Sequence, residues 1–582
     1  MAVPLQGSLI SSSIGGGKAL KSVHLFSLIL ILAVGVFSGC MDLGYQVWLE
    51  DSLVKVFPDD SAPVRSDDPF EVLIPRNGHA SLQVAVRPER ALKGFSIGAQ
   101  AKGAPLRITA SRVGYIPVSK NTPESPEEEI IRSAPGEFPD PLFPDIPEEL
   151  AAARTESFWL TIYAPADTRP GEYVAEVKIQ VADTSPTILQ FKVRVMSATV
   201  PAEQKLKVTN WFDVSEARLA PVYGSEGDRE IFWRILGNIG RVMAEHKQNF
   251  ILTPVSDLVA VSFERGKYSF DFSDFDRWVE TFREAGTIGT IEGGHLLTRP
   301  KGYFSPVGVP AWVQEDGEVV RKLLEPDDPR ASKYLSSFLS ALYQHLQDRG
   351  LIQQYVQHLH DEPHGDEVAI YERFAALVKK HMPGIPIIDA VDLQEDKDFL
   401  NEYLDIWVPV LSSFDGEFEM LRAHRESGGE TWYYTCVNPQ GRYLNRFIDY
   451  SLLKMRLIHW FNFRHDLNGY LHWGGNFWSE KPFENVEPVI NDGQTLLPPG
   501  DNALIYPDPE NYSILSSIRL EMMREGIEDY ELLLELSASN PERASELAKE
   551  AIPNVNDYVR DYKEFRRLYE AMLVAAGTSS DK

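Results

Sequence analysis

The chain has 582 residues, 43% hydrophobic and 24% charged, a length that suits two or three domains rather than one small one. Its 57 basic residues against 85 acidic ones leave a net charge of −28, which argues against nucleic acid or an anionic membrane surface as a partner held by charge. Two cysteines, Cys40 and Cys436, offer no structural zinc cluster, so the fold must rest on its apolar core.

In chain order, Lys18 and Lys21 precede an apolar run from His24 to Phe37, and Ser38-Gly39-Cys40 follows. That run is short for a membrane span and fits the apolar region of a signal peptide. Small residues directly before a cysteine resemble the bacterial lipobox. Residues 1–40 therefore read as a lipoprotein signal peptide with Cys40 as the lipidation site. The expected location is the bacterial cell envelope, extracytoplasmic, with membrane contact only through that anchor.

Residues 45–200 read as β-structure. Leu82, Val84 and Val86 alternate with other residues, as do Val177, Ile179 and Val181, then Phe191, Val193 and Val195, the period of a half-buried strand. Pro170-Gly171 supplies a turn before a strand opening at Tyr173. The expectation is an antiparallel β-sandwich with one face in solvent. Residues 119–149 are acidic and Pro-rich, and read as a long loop.

From Lys205 the rhythm changes to apolar run, loop and amphipathic helix. The runs end at Trp211, Pro254, Glu292, Glu362, Asp389, Val410, Tyr434 and Trp473. Helical spacing appears between them, as in Ile231, Ile235, Ile239 and Val242, or Leu335, Phe338, Leu339, Leu342 and Leu346. This alternation predicts a (β/α)8 TIM-like barrel over 205–535. No Gly-rich phosphate fingerprint follows any run, which speaks against a doubly wound nucleotide-binding sheet. Residues 516–535 read as a strong helix, and 536–582 as a C-terminal helical tail.

The chemistry concentrates at the fourth run, which reads Tyr355-Val-Gln-His-Leu-His-Asp-Glu-Pro. It places Asp361 and Glu362 side by side at a strand tip, where a parallel barrel carries its active site. Neighbouring carboxylates repel, so one is readily kept protonated as a general acid. Other tips carry Trp211, Glu292, His295, Asp389, Tyr433, Tyr434, Trp473, Asn476 and Trp478. Aromatic rings stack on sugar faces and polar side chains bind hydroxyls, so the expected substrate-binding set is Trp211, His295, Tyr434, Trp473, Asn476 and Trp478. Ordinary glycosidases straddle the sugar with two separated carboxylates. An adjacent pair acts from one side and suits the substrate-assisted route, with Glu362 as acid/base, Asp361 orienting a 2-acetamido group and Tyr434 near that group's oxygen. His358 and His360 lie two apart beside Asp361, but no third ligand with convincing spacing follows. No metal or cofactor is expected. Arg519, Glu521, Arg524, Glu528 and Asp529 sit at helical spacings that suit surface ion pairs or a tie between the last helix and the barrel. Cys436 reads as a small buried residue.

Three further runs carry a family resemblance: Thr431-Trp-Tyr-Tyr-Thr-Cys, Asn445-Arg-Phe-Ile-Asp-Tyr and Arg524-Glu-Gly-Ile-Glu-Asp-Tyr-Glu. Together they resemble the catalytic domain of glycoside hydrolase family 123, whose founding activity is β-N-acetylgalactosaminidase. The resemblance implies a β-sandwich before a barrel and a consecutive Asp-Glu catalytic pair, matched by Asp361 and Glu362. It also implies a glycan substrate ending in a β-linked N-acetylhexosamine. Two other readings stand beside it: a retaining glycosidase with a separate nucleophile such as Glu292, and a non-catalytic glycan-binding lipoprotein.

Overall fold

A computed structural model describes residues 44–64, 69–287, 289–302, 305–393, 398–487 and 496–579. Residues 1–40, expected from the sequence to be a signal peptide, and the expected lipidation site Cys40 lie outside the described residues. In the first part of the chain the strand periodicity builds two sheets. One has five antiparallel strands in the order Tyr45–Asp51, Gly78–Pro88, Glu156–Ala164, Arg107–Val118, Gly136–Phe143. The other has four, in the order Glu71–Arg76, Thr187–Thr199, Gly171–Gln180, Ser96–Ala101. The alternating residues Leu82, Val84 and Val86 meet Val177, Ile179, Phe191 and Val193 in one apolar cluster between the sheets.

Three features depart from the sequence reading. Glu71–Arg76 runs parallel to Thr187–Thr199, so the second sheet is mixed. The outer face of the five-stranded sheet is covered: Trp159, Val113 and Leu142 join the large core of the second half. The Pro-rich stretch 119–149 is not a loop throughout, because Gly136–Phe143 pairs with Arg107–Val118 despite Pro139 and Pro141. It does so at the sheet edge, the place where a residue without an N–H is tolerated.

The second half contains eight short parallel strands where the apolar runs stand: Lys207–Asn210, Phe250–Thr253, Thr290–Gly293, Tyr355–Gln357, Ile388–Val391, Ile406–Pro409, Glu430–Tyr434 and Gly469–His472. Five of them form one sheet and three another. A parallel bridge, Gln357 to Ile387, links the two sheets on one side. On the other, Asn249 donates its backbone N–H to Val208 O at 3.4 Å, and Val208 N–H returns to Asn249 Oδ1 at 2.9 Å. Helices separate most of the strands, their first turns often fixed by side-chain caps such as Asp228 and Asp328.

The helices Leu452–Arg464 and Ile518–Ser539 are buried on nearly every side. Gly526 lets them approach, since a Cβ there would strike Arg456 O. Charges at helical spacing are therefore interior, not surface, pairs. Arg519 grips both oxygens of Asp140 at 2.8 Å and reaches the carbonyls of Arg446, Gly500 and Ala503. Arg456 meets Asp529 at 2.6 and 2.9 Å, while Glu528 binds His79 and Glu521 binds His246. These ties fasten the last long helix to the N-terminal sheet as well as to the strand-helix half. That helix runs to Ser539, across the boundary expected at 535.

Candidate active site

The turn that carries Asp361 and Glu362 is built by replacing ladder bonds with side-chain bonds. After Gln357 the strand pairing ends, and Asp389 takes over as acceptor for Leu359 N–H at 3.0 Å and His360 N–H at 3.3 Å. Leu359 O accepts from Leu296 and Leu297 at 3.1 and 3.0 Å. Glu362 then adopts a left-handed backbone, φ 46°, a conformation that costs a non-glycine residue on the order of 1 kcal/mol or more. Arg299 holds this turn, donating to Asp361 O at 2.9 Å and Glu362 O at 2.8 Å, with its Nε on Glu367 at 3.0 Å. The strain aims two adjacent carboxylates into one cavity.

Beneath them His358 is wholly buried between two acids. Its Nδ1 bonds Asp389 at 2.9 Å and its Nε2 bonds Glu292 at 2.7 Å. Burial opposes its charge, but the two carboxylates win and push its pKa up to about 10, so it is an imidazolium. Glu292 also accepts from Thr209 Oγ at 2.7 Å and Trp211 Nε1 at 2.9 Å. With its carboxylate holding three donors and fully buried, Glu292 braces the floor and does not line the cavity. His295, His358 and Asp389 each bring one atom within 4.8 Å of the others. Both ring nitrogens of His358 are occupied in donating to carboxylates, which leaves it no lone pair for an ion. His360 turns to Glu367 at 3.4 Å rather than sharing a ligand set with His358.

The cavity measures about 710 Å³, within the range of small-molecule sites. Asp361, Glu362, Trp211, His295, Tyr434 and Trp473 all line it. Asn476 and Trp478 do not: Asn476 clasps the backbone of Asp213 at 2.8 and 2.9 Å, and Trp478 Nε1 donates to Ile505 O at 2.7 Å. Tyr434 donates its hydroxyl to Glu362 Oε1. Burial, then the adjacent Glu362 charge, pushes Asp361 up to about 7. Burial also raises Glu362, against the Tyr434 hydrogen bond and the Arg299 charge. Burial of both acids and the closeness of their charges oppose ionising the two together.

Among the cavity residues that the sequence reading did not assign to the site are Arg299, Asp501 and Cys436, the last read there only as a small buried residue. Asp501 is a buried carboxylate that accepts Trp473 Nε1–H at 3.1 Å and so fixes the orientation of that indole. A local signal existed only in its position, on the loop that follows the eighth strand.

An acid pair in an aromatic-walled cavity above parallel strand ends is the equipment of a carbohydrate hydrolase. The profile of the Glycoside hydrolase 123 catalytic domain matches residues 219–536. The chain belongs to glycoside hydrolase family 123 and is a glycosidase. Its structure is similar to that of a family 123 glycoside hydrolase from Clostridium perfringens, studied for glycolipid glycan hydrolysis. That likeness has a TM-score of 0.71 at 16% identity and covers 92% of this chain and 97% of the other. A xylanase of family GH10 from termite gut, with TM-score 0.31 and 10% identity, covers 79% of this chain and 99% of its own. That last likeness is too slight to bear on function. No curated protein is found to be similar in sequence.

Proposed function

We propose that the chain is an exo-acting β-N-acetylgalactosaminidase or hexosaminidase that works by substrate-assisted, retaining hydrolysis. The observation that carries this reading is the placement of Asp361 and Glu362: neighbours on one strand tip, opening into one cavity, with Glu292 committed to the floor below. In the reactive state the pair holds one proton. Glu362 gives it to the glycosidic oxygen as the substrate's acetamido oxygen attacks the anomeric carbon. Asp361, ionised, accepts the acetamido N–H and stabilises the positive charge of the resulting oxazolinium-like ring. Glu362, now a carboxylate, takes a proton from the water that opens the ring, and the anomeric configuration is retained. The hydroxyl of Tyr434 tunes Glu362 in the free enzyme, and Trp473 with Trp211 offers apolar surface to the sugar. The similar Clostridium perfringens enzyme is described for glycolipid glycan hydrolysis, and the proposed substrate of this chain is of that class. A thiazoline mimic of the oxazolinium ring is expected to inhibit far more tightly than the free sugar, measured as Ki on an aryl substrate. Equal affinity for the two would contradict the reading.

The same proposal reads the eight strands as a closed (β/α)8 barrel behind a β-sandwich, supported by the Gln357–Ile387 bridge and the Asn249–Val208 bonds on the opposite side. It also places the protein on the bacterial envelope through lipidated Cys40, supported by the apolar run and Ser38-Gly39-Cys40. Cys40→Ala is expected to abolish lipid labelling and move the protein from the membrane to the soluble fraction. Labelling that survives the substitution would refute the anchor.

A further inference from the structure

A second cavity of about 380 Å³ adjoins the first and shares His295, Ser256 and Asp257 with it. It lies over the ends of Lys207–Asn210, Phe250–Thr253 and Thr290–Gly293, next around the strand sequence from the catalytic tip. Nothing in the proposed chemistry uses it. An exo-acting enzyme holds the terminal sugar against Asp361 and Glu362, so the rest of the glycan must leave across the cavity wall. The wall shared with this second space is one such exit.

Its surfaces suit a sugar. Leu252, Pro254 and Leu258 are half-buried apolar side chains on its floor, and Phe212 and Trp233 back them. The polar groups are at the rim. Asp213 is held by Ser215 and Arg218, Asp257 by Arg321, and Asp274 by Arg229. The Glu216 side chain is exposed and has neither a hydrogen bond nor an ion pair among the described residues, so its carboxylate can accept from a hydroxyl. Of the four carboxylates that line the space, Asp213, Asp257 and Asp274 are each paired with an arginine and Glu216 alone is unpaired. The rim thus keeps one uncompensated negative charge and all three of those arginines are already engaged, which disfavours an anionic guest such as a sialylated or sulfated unit.

We propose that this second cavity is the subsite for an uncharged sugar on the leaving-group side of the scissile bond. The proposal rests on the exo-hexosaminidase reading and adds the preference for what the terminal sugar is attached to. Leu258→Trp fills the floor of the space, and Glu216→Gln weakens its free acceptor without changing its size. The readout is the ratio of kcat/KM for a β-N-acetylgalactosaminide of a neutral disaccharide over kcat/KM for the aryl glycoside of the same sugar. The ratio does not depend on how much of a variant is folded. Leu258→Trp is expected to lower it at least about tenfold, the scale of a pocket misfit, and Glu216→Gln to lower it less. In step with this, the free neutral disaccharide should inhibit wild-type enzyme more strongly than either variant. A ratio unchanged in both variants, or a disaccharide that inhibits all three equally, would overturn the subsite. Failure of the substrate-assisted reading would instead show in wild-type enzyme as cleavage of a 2-hydroxy aryl glycoside, which this ratio does not involve.

Discussion

Glu362→Gln is expected to slow hydrolysis of a natural, unactivated glycoside by about 10²- to 10⁴-fold, the usual worth of general acid help. The reason is local. A sugar alkoxide is a poor leaving group and needs the proton that the proposed mechanism assigns to Glu362, whereas an acidic phenol departs with little help. The same variant should therefore be much less impaired on an aryl glycoside with an acidic phenol. Asp361→Asn should behave differently, because in the proposed mechanism Asp361 acts on the forming oxazolinium ring whatever the leaving group. It should slow both substrates by similar factors. Steady-state kinetics of the two variants on the two substrates separate the roles. Equal leaving-group dependence in both variants would remove the division of labour between the acids.

His358→Leu is expected to cost about 3 to 5 kcal/mol of stability, the scale for removing one partner of a buried ion pair. His358 is the cation between Asp389 and Glu292, with both ring nitrogens bonded and no exposure. Leucine fills similar space but leaves two buried carboxylates facing an apolar group. The effect has a pH signature. A histidine held at about 10 in the folded state, against about 6.5 unfolded, binds its proton more tightly when folded. Its stabilisation is complete below about 6.5 and is lost as pH rises through the folded value. Denaturant unfolding of the wild type should therefore show stability declining between neutral and alkaline pH, and the His358→Leu profile should lack that component. Asp389 also accepts the N–H groups of Leu359 and His360 at the catalytic turn, so activity should fall together with stability. A loss below about 1 kcal/mol with an unchanged pH slope would show that His358 is not the buried cation.

The eight strand positions were legible because strands of a parallel sheet are covered on both faces and appear as unbroken apolar runs. The acid pair was legible for a related reason: Asp361-Glu362 breaks such a run abruptly at its end. The parts that were not legible depend on contacts distant in sequence. Arg519, Glu521, Glu528 and Asp529 have the helical spacing that surface charges also show, and only tertiary packing buries them against Asp140, His246, His79 and Arg456. The strand Gly136–Phe143 was hidden by its prolines, which an edge position tolerates. Arg299 and Asp501 reach the site from loops in which no periodicity marks them. Asn476 and Trp478 had the right composition for a sugar site, but the loop after the eighth strand turns them toward Asp213 and Ile505 instead. Glu292 lies at a strand end as expected. Its Trp211 and His358 bonds, invisible in sequence, turn a candidate nucleophile into a buried brace.

The central claim is that the substrate's own acetamido oxygen is the nucleophile. It is tested most directly by comparing wild-type hydrolysis of two aryl β-galactosides that differ only at carbon 2, one 2-acetamido and one 2-hydroxy. The account predicts cleavage of the 2-acetamido sugar alone and no covalent sugar on the protein by mass spectrometry. Comparable cleavage of the 2-hydroxy sugar, or a fluorosugar trapped on Glu292, would contradict it.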